Sequence, residues 1–489
     1  MSHQTTPSGR TGKLNVPAIV MLVISVAAPL AVVLGTLPLG LALGGPSLVV
    51  MFLAAGVILG LFAVGYAAMS HRITEPGGFF PYISAAMGRV AGSAGAWLAI
   101  LTYGAFLLGS LAIAGYFGGQ ILEQETGAAV PWQLYAALSF VVAVVLASMN
   151  VEVGALVVTV AVAAEFVLIG ALDVFILVRD GNEGLPVEVF SPHVGFGPGF
   201  AIALMYAVLC YSGFESAALY APEAKDPKRT IAVATYATVA ILTLFFGFST
   251  WVIIGAIGVD EVQQAALDSG GNIMFALMGQ YAPGWMGHAI SWMMLFSQFA
   301  AVLALTNALA RYVQALGEKG LLPGWLGHRA VRTGAPSRAV WASAAVTALV
   351  LVVLALLQLD PLLDISSVLF GVGALAMVLL QAAAAAASVL YFRSRQGWHW
   401  WRTCVAPGLG AVGLITAFVL MTKEFDLISG KSSTFVSLLP LLTVVAIAGG
   451  ALYALRVRRR DPEKYAALEF DRDRVEEVHE PLGAVPDRV

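Results

Sequence analysis

Residues 201–220 read AIALMYAVLCYSGFESAALY, and residues 221–230 continue with APEAKDPKRT. The stretch begins as an apolar run of the kind that crosses a bilayer, and then places Ser212, Gly213 and Glu215 in its middle. Glycine weakens a helix, and an acid inside a membrane is rare and costly, so such an acid is by default a functional hypothesis. The stretch therefore predicts a membrane span whose helix is interrupted at a functional site.

The composition of the whole chain is that of a polytopic membrane protein. Of its 489 residues, 59% are hydrophobic and 11% are charged, whereas soluble domains carry about 25% charged residues. The net charge of −3 gives no reason to expect a nucleic-acid partner. Cys210 and Cys404 do not suggest a disulfide framework, and no Cys/His set has the spacing of metal ligands. No Walker loop or catalytic cluster is present, so we expect no cofactor, no metal and no enzymatic activity.

Twelve segments are long and apolar enough to span a bilayer, which takes about 20 residues. They are 17–43, 46–70, 89–119, 131–149, 154–178, 198–220, 230–257, 285–315, 338–358, 364–392, 403–422 and 433–457. With both termini in the cytoplasm, only Arg179, Lys423 and Lys431 fall outside, and the other basic residues fall inside. The sequence therefore predicts twelve crossings of the cell's inner (plasma) membrane with cytoplasmic ends.

Two of these segments carry helix breakers near the middle of the membrane. Segment 1 contains Pro29, followed by Gly35 and Pro38, and segment 6 contains Ser212-Gly213. Each feature alone is more often a plain proline kink or a packing glycine. The interrupted segments are the first and the sixth, however, which is the spacing of two inverted five-helix repeats whose broken helices meet at the midplane.

This spacing predicts five regions in the chain. They are a cytoplasmic N-terminal tail (1–16), a first five-helix repeat (17–178), a second, inverted repeat (198–392), helices 11 and 12 (403–457) and a cytoplasmic C-terminal tail (458–489).

Four stretches resemble motifs of the amino acid–polyamine–organocation (APC) superfamily of permeases. They are GFESAALYAPEAKDPKRTI in segment 6, EPGGFFPYISAAMGRVAGSAGAW after segment 2, ALTNALARYVQALGEKGLLPGWLG at the end of segment 8, and TGAPSRAV. In segment 1, AAPLAVVLGTLPLGLALGG departs from the commoner Gly-Ser-Gly-Ile-Phe motif and is closer to an Ala-Pro-Leu subgroup of bacterial amino acid permeases. The resemblance implies an all-α, LeuT-like 5+5 inverted repeat with two additional helices, and alternating-access transport of an amino acid or an amine.

The two breaks form the candidate substrate site. Free N–H groups at a half-helix N-terminus suit a carboxylate, and free carbonyls at a half-helix C-terminus suit an ammonium, so two broken helices can recognise an amino acid through their backbones. The expected substrate contacts are Ala27, Ala28, Pro29, Leu30 and Ala31, then Tyr103, then Cys210, Tyr211, Ser212, Gly213 and Phe214. The small residues suit close helix packing as well, and the aromatic rings suit either a gate or the core.

Two acids are the candidates for ion coupling. Glu215 would carry a coupling proton, cap the half-helix or bind a cationic substrate. Glu165 lies in segment 5, where the resemblance places either a sodium ion or a basic side chain, so the coupling ion stays open between a proton and sodium. Thr306 and Asn307 in segment 8 would line an ion site or join helices. Asp173 is expected to be an interfacial acid.

The function expected from these features is that of a secondary-active amino acid permease, coupled to protons. The alternatives within the fold are a polyamine or amine transporter and an amino acid exchanger. A substrate-sensing receptor of the same fold is a further alternative, because it would bind the substrate without transporting it. The expected partners are the lipid bilayer and a small-molecule substrate.

Overall fold

A computed structural model gives the fold of the chain. It describes residues 14–73, 78–149, 155–180, 184–217, 224–330, 335–393, 398–429, 434–462 and 465. The predicted N-terminal tail up to residue 13, the end of segment 6 (218–220) and the C-terminal tail from residue 466 lie outside the described residues. Within these ranges the protein is all-helical, without a strand, and one isolated β-bridge joins Leu14 to Ala224.

The described residues form α-helices of very different length, numbered here in chain order. They are α1 (Val16–Ala27), α2 (Pro29–Ala31), α3 (Leu37–Gly44), α4 (Leu48–Ser70), α5 (Phe79–Met87), α6 (Arg89–Thr126), α7 (Trp132–Ser148), α8 (Ala155–Asp180), α9 (Pro192–Gly195), α10 (Phe200–Cys210), α11 (Pro227–Ile257), α12 (Val262–Asp268), α13 (Ile273–Tyr281), α14 (Gly284–Glu318), α15 (Ser337–Leu356), α16 (Val368–Arg393), α17 (Ala406–Lys423), α18 (Thr434–Leu438) and α19 (Leu441–Arg460). Short π-helical segments cover Val32–Thr36, Pro361–Ser367 and Trp400–Val405, and 3₁₀ turns cover Gly45–Ser47, Val187–Phe190, Gly324–Gly327 and Phe425–Ser429.

The helices are those of a polytopic membrane protein, as the composition predicts. Ten helical stretches of the described chain are long and apolar enough to span a bilayer. One of them, Val16–Ser70, has 55 residues, which is about 80 Å of helix against a hydrocarbon core of about 30 Å. It therefore holds more than one crossing, in agreement with segments 1 and 2. Trp132–Ser148, at segment 4, is a shorter apolar helix, and the total of twelve crossings stays a prediction.

The centre of the bundle is formed by α6 and α16, which pack against each other, while α6 also contacts α7, α14 and α19. At the periphery, α15 and α19 expose apolar side chains such as Leu349, Val353 and Leu452. Apolar side chains are what lipid tails accept, and helices satisfy their backbone polar groups internally, so such faces suit a bilayer. The central helices therefore carry the walls of any internal site.

The contact between α6 and α16 is an interlock of rings and glycines. A Cβ atom on Gly373 would lie 2.3 Å from Cδ1 of Phe106, and a Cβ atom on Gly109 would lie 2.7 Å from Cδ1 of Phe370. Each glycine thus makes room for a ring of the opposite helix. Both rings are nearly fully buried, so this packing fixes the distance between the two helices.

We predict that Gly373→Ala destabilises the protein by about 1–3 kcal/mol, because the added methyl group overlaps the Phe106 ring in a packed core. The apparent melting temperature in detergent measures this effect. The matched control is Gly60→Ala on α4, where an added Cβ meets nothing within 4 Å and alanine favours the helix. Equal melting temperatures for the two variants would contradict the interlock.

Candidate functional site

The first helix is broken at Ala28, between α1 and α2. Ala28 has φ 47° and ψ 70°, in the left-handed region that residues other than glycine seldom adopt. Pro29 follows it and has no N–H to continue the helix, and its ring disfavours a helical turn before it. Pro38, by contrast, does not break the chain, because it stands at the start of α3, where a missing N–H costs little.

The sixth predicted span is also broken, and its break faces the first one. After α10 ends at Cys210, residues 211–213 form a turn and residues 214–217 a single 3₁₀ turn. Gly213 has φ 106°, and a Cβ atom there would lie 2.6 Å from Cγ1 of Val26, near the end of α1. The conformation and the close approach both require glycine, so Gly213 is where the two broken helices touch.

A buried acid binds the backbone at the break in the first helix. Glu165 of α8 is 4% exposed, and its Oε2 accepts a hydrogen bond from the N–H of Leu30 at 3.1 Å. The first N–H groups of a helix have no partner within the helix and lie at its positive end. Glu165 therefore caps the second half of the broken helix.

A second buried acid binds the backbone at the break in the sixth predicted span. The N–H of Gly213 donates to Oε2 of Glu215 at 3.1 Å, and the hydroxyl of Tyr103 donates to Oε1 at 2.8 Å. The backbone carbonyl of Glu215 accepts from the hydroxyl of Tyr66 at 2.9 Å. Within the described ranges, neither Glu215 nor Glu165 bonds to a Lys, Arg or His side chain. Each break thus has a backbone N–H bound by a carboxylate without a basic partner.

A cavity lies between the two breaks and the central helices. It holds about 650 Å³ of empty space, and this volume includes the part that is open to solvent. Its walls are Val26, Ala27, Ala28, Ala31, Val32, Thr36, Tyr103, Phe106, Ser110, Ile113, Leu209, Cys210, Ser212, Gly213, Gln298, Ala301, Leu305 and Phe370. No residue with a charged side chain is among them, so the lining itself is neutral.

Seven of the substrate contacts that the sequence predicts line this cavity. They are Ala27, Ala28, Ala31, Tyr103, Cys210, Ser212 and Gly213. The hydroxyl of Ser212 is buried and has no hydrogen-bond partner in the described part of the chain. Pro29 and Leu30 are buried in the break beside the cavity but do not line it.

The structure places two predicted contacts away from the cavity. The hydroxyl of Tyr211 donates to the carbonyl of Phe52 and is 2.9 Å from Oγ1 of Thr243, so its ring points towards α4 and α11. Phe214 is fully buried and packs edge-on against Phe62, with ring centroids 5.9 Å apart. Both side chains therefore support the fold around the break.

The predicted polar pair of segment 8 also lies outside the lining. Oγ1 of Thr306 donates to the carbonyl of Val302, and Nδ2 of Asn307 donates to that of Leu303. Both bonds return to the helix that carries them, and they use only the donor groups of the two side chains. Instead, α14 contributes Gln298, Ala301 and Leu305 to the cavity wall.

Sequence reasoning missed three polar residues of the cavity wall, namely Thr36, Ser110 and Gln298. A detectable signal existed for Gln298, since an amide side chain within the apolar run LFSQFAA is unusual in a span. Asp173, predicted to be an interfacial acid, is 2% exposed and accepts a hydrogen bond from Ser249 at 2.7 Å. Its position relative to the membrane interface stays a prediction.

Aromatic rings of α4, α5, α6 and α14 form a cluster that includes Tyr103 of the cavity wall. Tyr66 stands one turn from the end of α4, and its ring centroid lies 5.3 Å from that of Tyr82 and 5.6 Å from that of Phe79, both in α5. The rings of Tyr103 and Tyr312 stack with their centroids 5.0 Å apart. We call these five residues the aromatic floor. Among them, Tyr103 is the one that lines the cavity.

The chain matches the family model described as amino acid permease over residues 14–447. This range includes both breaks and every residue of the cavity wall. The match therefore covers the whole of the candidate site.

Curated relatives of the chain are transporters with different substrates. The branched-chain amino acid permease BcaP of Lactococcus lactis subsp. cremoris (strain MG1363) is 26% identical over 322 residues, which are 62% of this chain and 67% of the relative. The methylthioribose transporter of Bacillus subtilis (strain 168) is 26% identical over 324 residues, with the same coverage of 62% and 67%. Cationic amino acid transporter 3, mitochondrial, of Arabidopsis thaliana is 25% identical over 316 residues, 60% of this chain and 49% of the relative.

We predict that Gly213→Ala lowers the uptake of a radiolabelled amino acid mixture into proteoliposomes by roughly tenfold or more. The added methyl group meets Val26 and the backbone is strained, so the two breaks move apart at a cost of about 1–3 kcal/mol. Gly170→Ala on α8 is the control, since a Cβ there meets nothing within 4 Å. Full uptake by the Gly213→Ala protein would show that the contact between the breaks is dispensable.

Proposed function

The chain belongs to the amino acid permease family of membrane transporters, and we propose that it is a secondary-active, proton-coupled amino acid transporter that works by alternating access. The proposal places the protein in the inner (plasma) membrane with both termini in the cytoplasm. Its central supporting observation is that a buried carboxylate accepts a backbone N–H at each of the two helix breaks.

The backbone at the two breaks offers partial charges of both signs, and these suit the two charged groups of a zwitterionic amino acid. The last carbonyls of α1 and α10 lie at helix C-termini, where the backbone partial charge is negative, and they suit the ammonium group. The N–H groups that open α2 lie at a positive end and suit the carboxylate. Ala27, Ala28 and Ala31 line the cavity here with small side chains, so a substrate can approach the backbone closely.

The two acids connect this recognition to a proton. An ionised carboxylate is a stronger acceptor than a neutral one, and charge-assisted hydrogen bonds are about twice as strong as neutral ones. Protonation of Glu165 would weaken its bond to the Leu30 N–H, and protonation of Glu215 would weaken its bond to the Gly213 N–H. The N–H groups would then be available to the substrate carboxylate, and the negative charge that repels that carboxylate would be gone. Proton and substrate would thus favour each other's binding, which is the linkage that symport needs.

Alternating access needs a barrier on one side of the cavity, and the aromatic floor is proposed to be that barrier. Its rings come from α4, α5, α6 and α14 and lie near the end of α4 and the start of α5. Arg72, Arg89 and Lys225 lie at helix ends on the closed side, and positive charge marks the cytoplasmic side of membrane proteins. The described conformation is therefore proposed to be outward-facing, with transport requiring the floor to separate.

Sodium is the competing coupling ion. A cation site needs several oxygen ligands directed at one point. Thr306 and Asn307, which were expected to line an ion site or to join helices, do not line the cavity and donate to their own helix. We favour the proton because each carboxylate at a break accepts a hydrogen bond from a backbone N–H.

We predict that an inward proton gradient drives amino acid accumulation in proteoliposomes, and that Glu215→Gln abolishes the dependence on this gradient. Glutamine keeps an acceptor oxygen for Gly213 but cannot exchange a proton, so binding and substrate exchange at equal pH persist within about threefold, or about 0.65 kcal/mol. Glu165→Gln tests the second acid in the same way. Uptake with imposed proton and sodium gradients, measured separately, gives the result.

Asp173→Asn is the matched control for these variants, because Asp173 is also a buried acid in a span but bonds to Ser249 rather than to a break. It should retain gradient-driven accumulation. Loss of coupling in this control alone would move the proton site to α8 and α11. Accumulation driven by sodium would replace the proton in the proposal, exchange without accumulation would make the protein an exchanger, and binding without flux would make it a receptor.

A further inference from the structure

Three polar side chains that the sequence did not single out line the cavity. Thr36, Ser110 and Gln298 are 7%, 6% and 4% exposed, and they come from the broken first helix, α6 and α14. Within the part of the chain that the structure describes, no hydrogen bond joins these side chains to the protein. Polar groups on a cavity wall are paired by water or by a ligand, so these three side chains are available to a substrate in the cavity. We call them the polar end.

The polar end is a single patch. A Cβ atom on Gly35, beside Thr36, would lie 3.3 Å from Nε2 of Gln298 and 3.1 Å from Cδ1 of Ile113. Ile113 stands one helical turn after Ser110 on α6. Gln298 and Ile113 thus approach the same residue, Gly35, and all three polar side chains line the same cavity.

The patch lies about one amino acid's length from the breaks. Ser110 follows Tyr103 by seven residues on α6, and Gln298 precedes Leu305 by seven on α14, which is about 10 Å along each helix axis. Tyr103 contacts Glu215 at the break. A zwitterion held at the breaks would extend its side chain along this axis, past Phe106 and Phe370, to the polar end.

The chemistry of the patch selects among side chains. A glutamine amide and two hydroxyls offer both donors and acceptors but no charge. A cationic or anionic side chain would find no counter-charge there, because the cavity lining is uncharged and both acids lie at the breaks. An apolar side chain would leave the three polar groups desolvated and unpaired.

We propose that the polar end recognises an uncharged, hydrogen-bonding side chain, so that the preferred substrates are amino acids bearing a hydroxyl or a carboxamide. This inference rests on the proposed transport of amino acids. Sites built to bond a polar group reject an analogue that lacks it more strongly than apolar pockets reject an extra methylene.

The test uses pairs of amino acids with similar shape, threonine against valine and asparagine against leucine. Uptake of each into proteoliposomes gives kcat/KM, and the shift of the melting temperature in detergent gives binding without transport. We expect kcat/KM to be at least about tenfold higher for threonine than for valine, and at least about tenfold higher for asparagine than for leucine. In Gln298→Leu the preference for asparagine over leucine should fall below about threefold, while leucine is carried at least as well as before.

Gln314→Leu is the matched control, since it makes the same change on α14 at a residue that bonds to Glu318 away from the cavity. The Gln314→Leu protein should keep the full preference for asparagine over leucine. Thr36→Val and Ser110→Ala provide second variants if Gln298→Leu does not fold, and each should narrow the preference for threonine over valine.

Two results would overturn the inference while amino acid transport stands. One is equal uptake of both members of each pair by the unmodified protein. The other is an unchanged preference in a folded Gln298→Leu protein, which would make the polar end a hydrated entry path. If none of the four amino acids is carried or raises the melting temperature, and other amino acids are carried, the substrate class alone is wrong. If no amino acid is carried or bound, the proposed function fails with it.

Discussion

A backbone polar group at membrane depth must find a partner, because an unsatisfied N–H or carbonyl there costs several kcal/mol. The breaks at Ala28 and Gly213 interrupt two helices, and at each break a carboxylate provides the partner for a backbone N–H. Glu165 binds the Leu30 N–H and Glu215 binds the Gly213 N–H. Burying a carboxylate is itself costly, and its hydrogen bond to the N–H offsets part of that cost. The buried carboxylate and the buried N–H therefore stabilise each other at each break. The cavity and the proposed coupling both follow from this dependence.

Close packing turns the two breaks into a site of defined size. Gly213 lets the breaks touch at Val26, and the glycines of α6 and α16 admit the rings of Phe106 and Phe370, which also form the cavity wall. The cavity between these helices is lined by residues of both breaks and by the polar end. The proposed recognition of a zwitterion at the breaks and of its side chain at the polar end therefore depends on the same helix contacts.

The spans and the helix breaks can be predicted from local sequence, whereas the directions in which the side chains point cannot. Apolar runs give the spans, and Pro29 and Ser212-Gly213 give the breaks, because proline and glycine act on their own stretch of backbone. Which face of a helix meets the cavity depends on packing, since one residue turns the helix by about 100°. Gln298, Ala301 and Leu305 share the cavity-facing side of α14, whereas the predicted Thr306 and Asn307 do not. Tyr211 likewise adjoins the break but bonds to Phe52.

The central claim is that the two breaks hold both charged groups of an amino acid. The most direct measurement is competition for uptake in proteoliposomes by a transported amino acid, its N-acetyl derivative and its methyl ester. Each derivative removes one charge and keeps the side chain, so we predict that each competes at least about tenfold more weakly, equivalent to 1.4 kcal/mol or more. Competition by either derivative at the strength of the parent amino acid would contradict backbone recognition of that group.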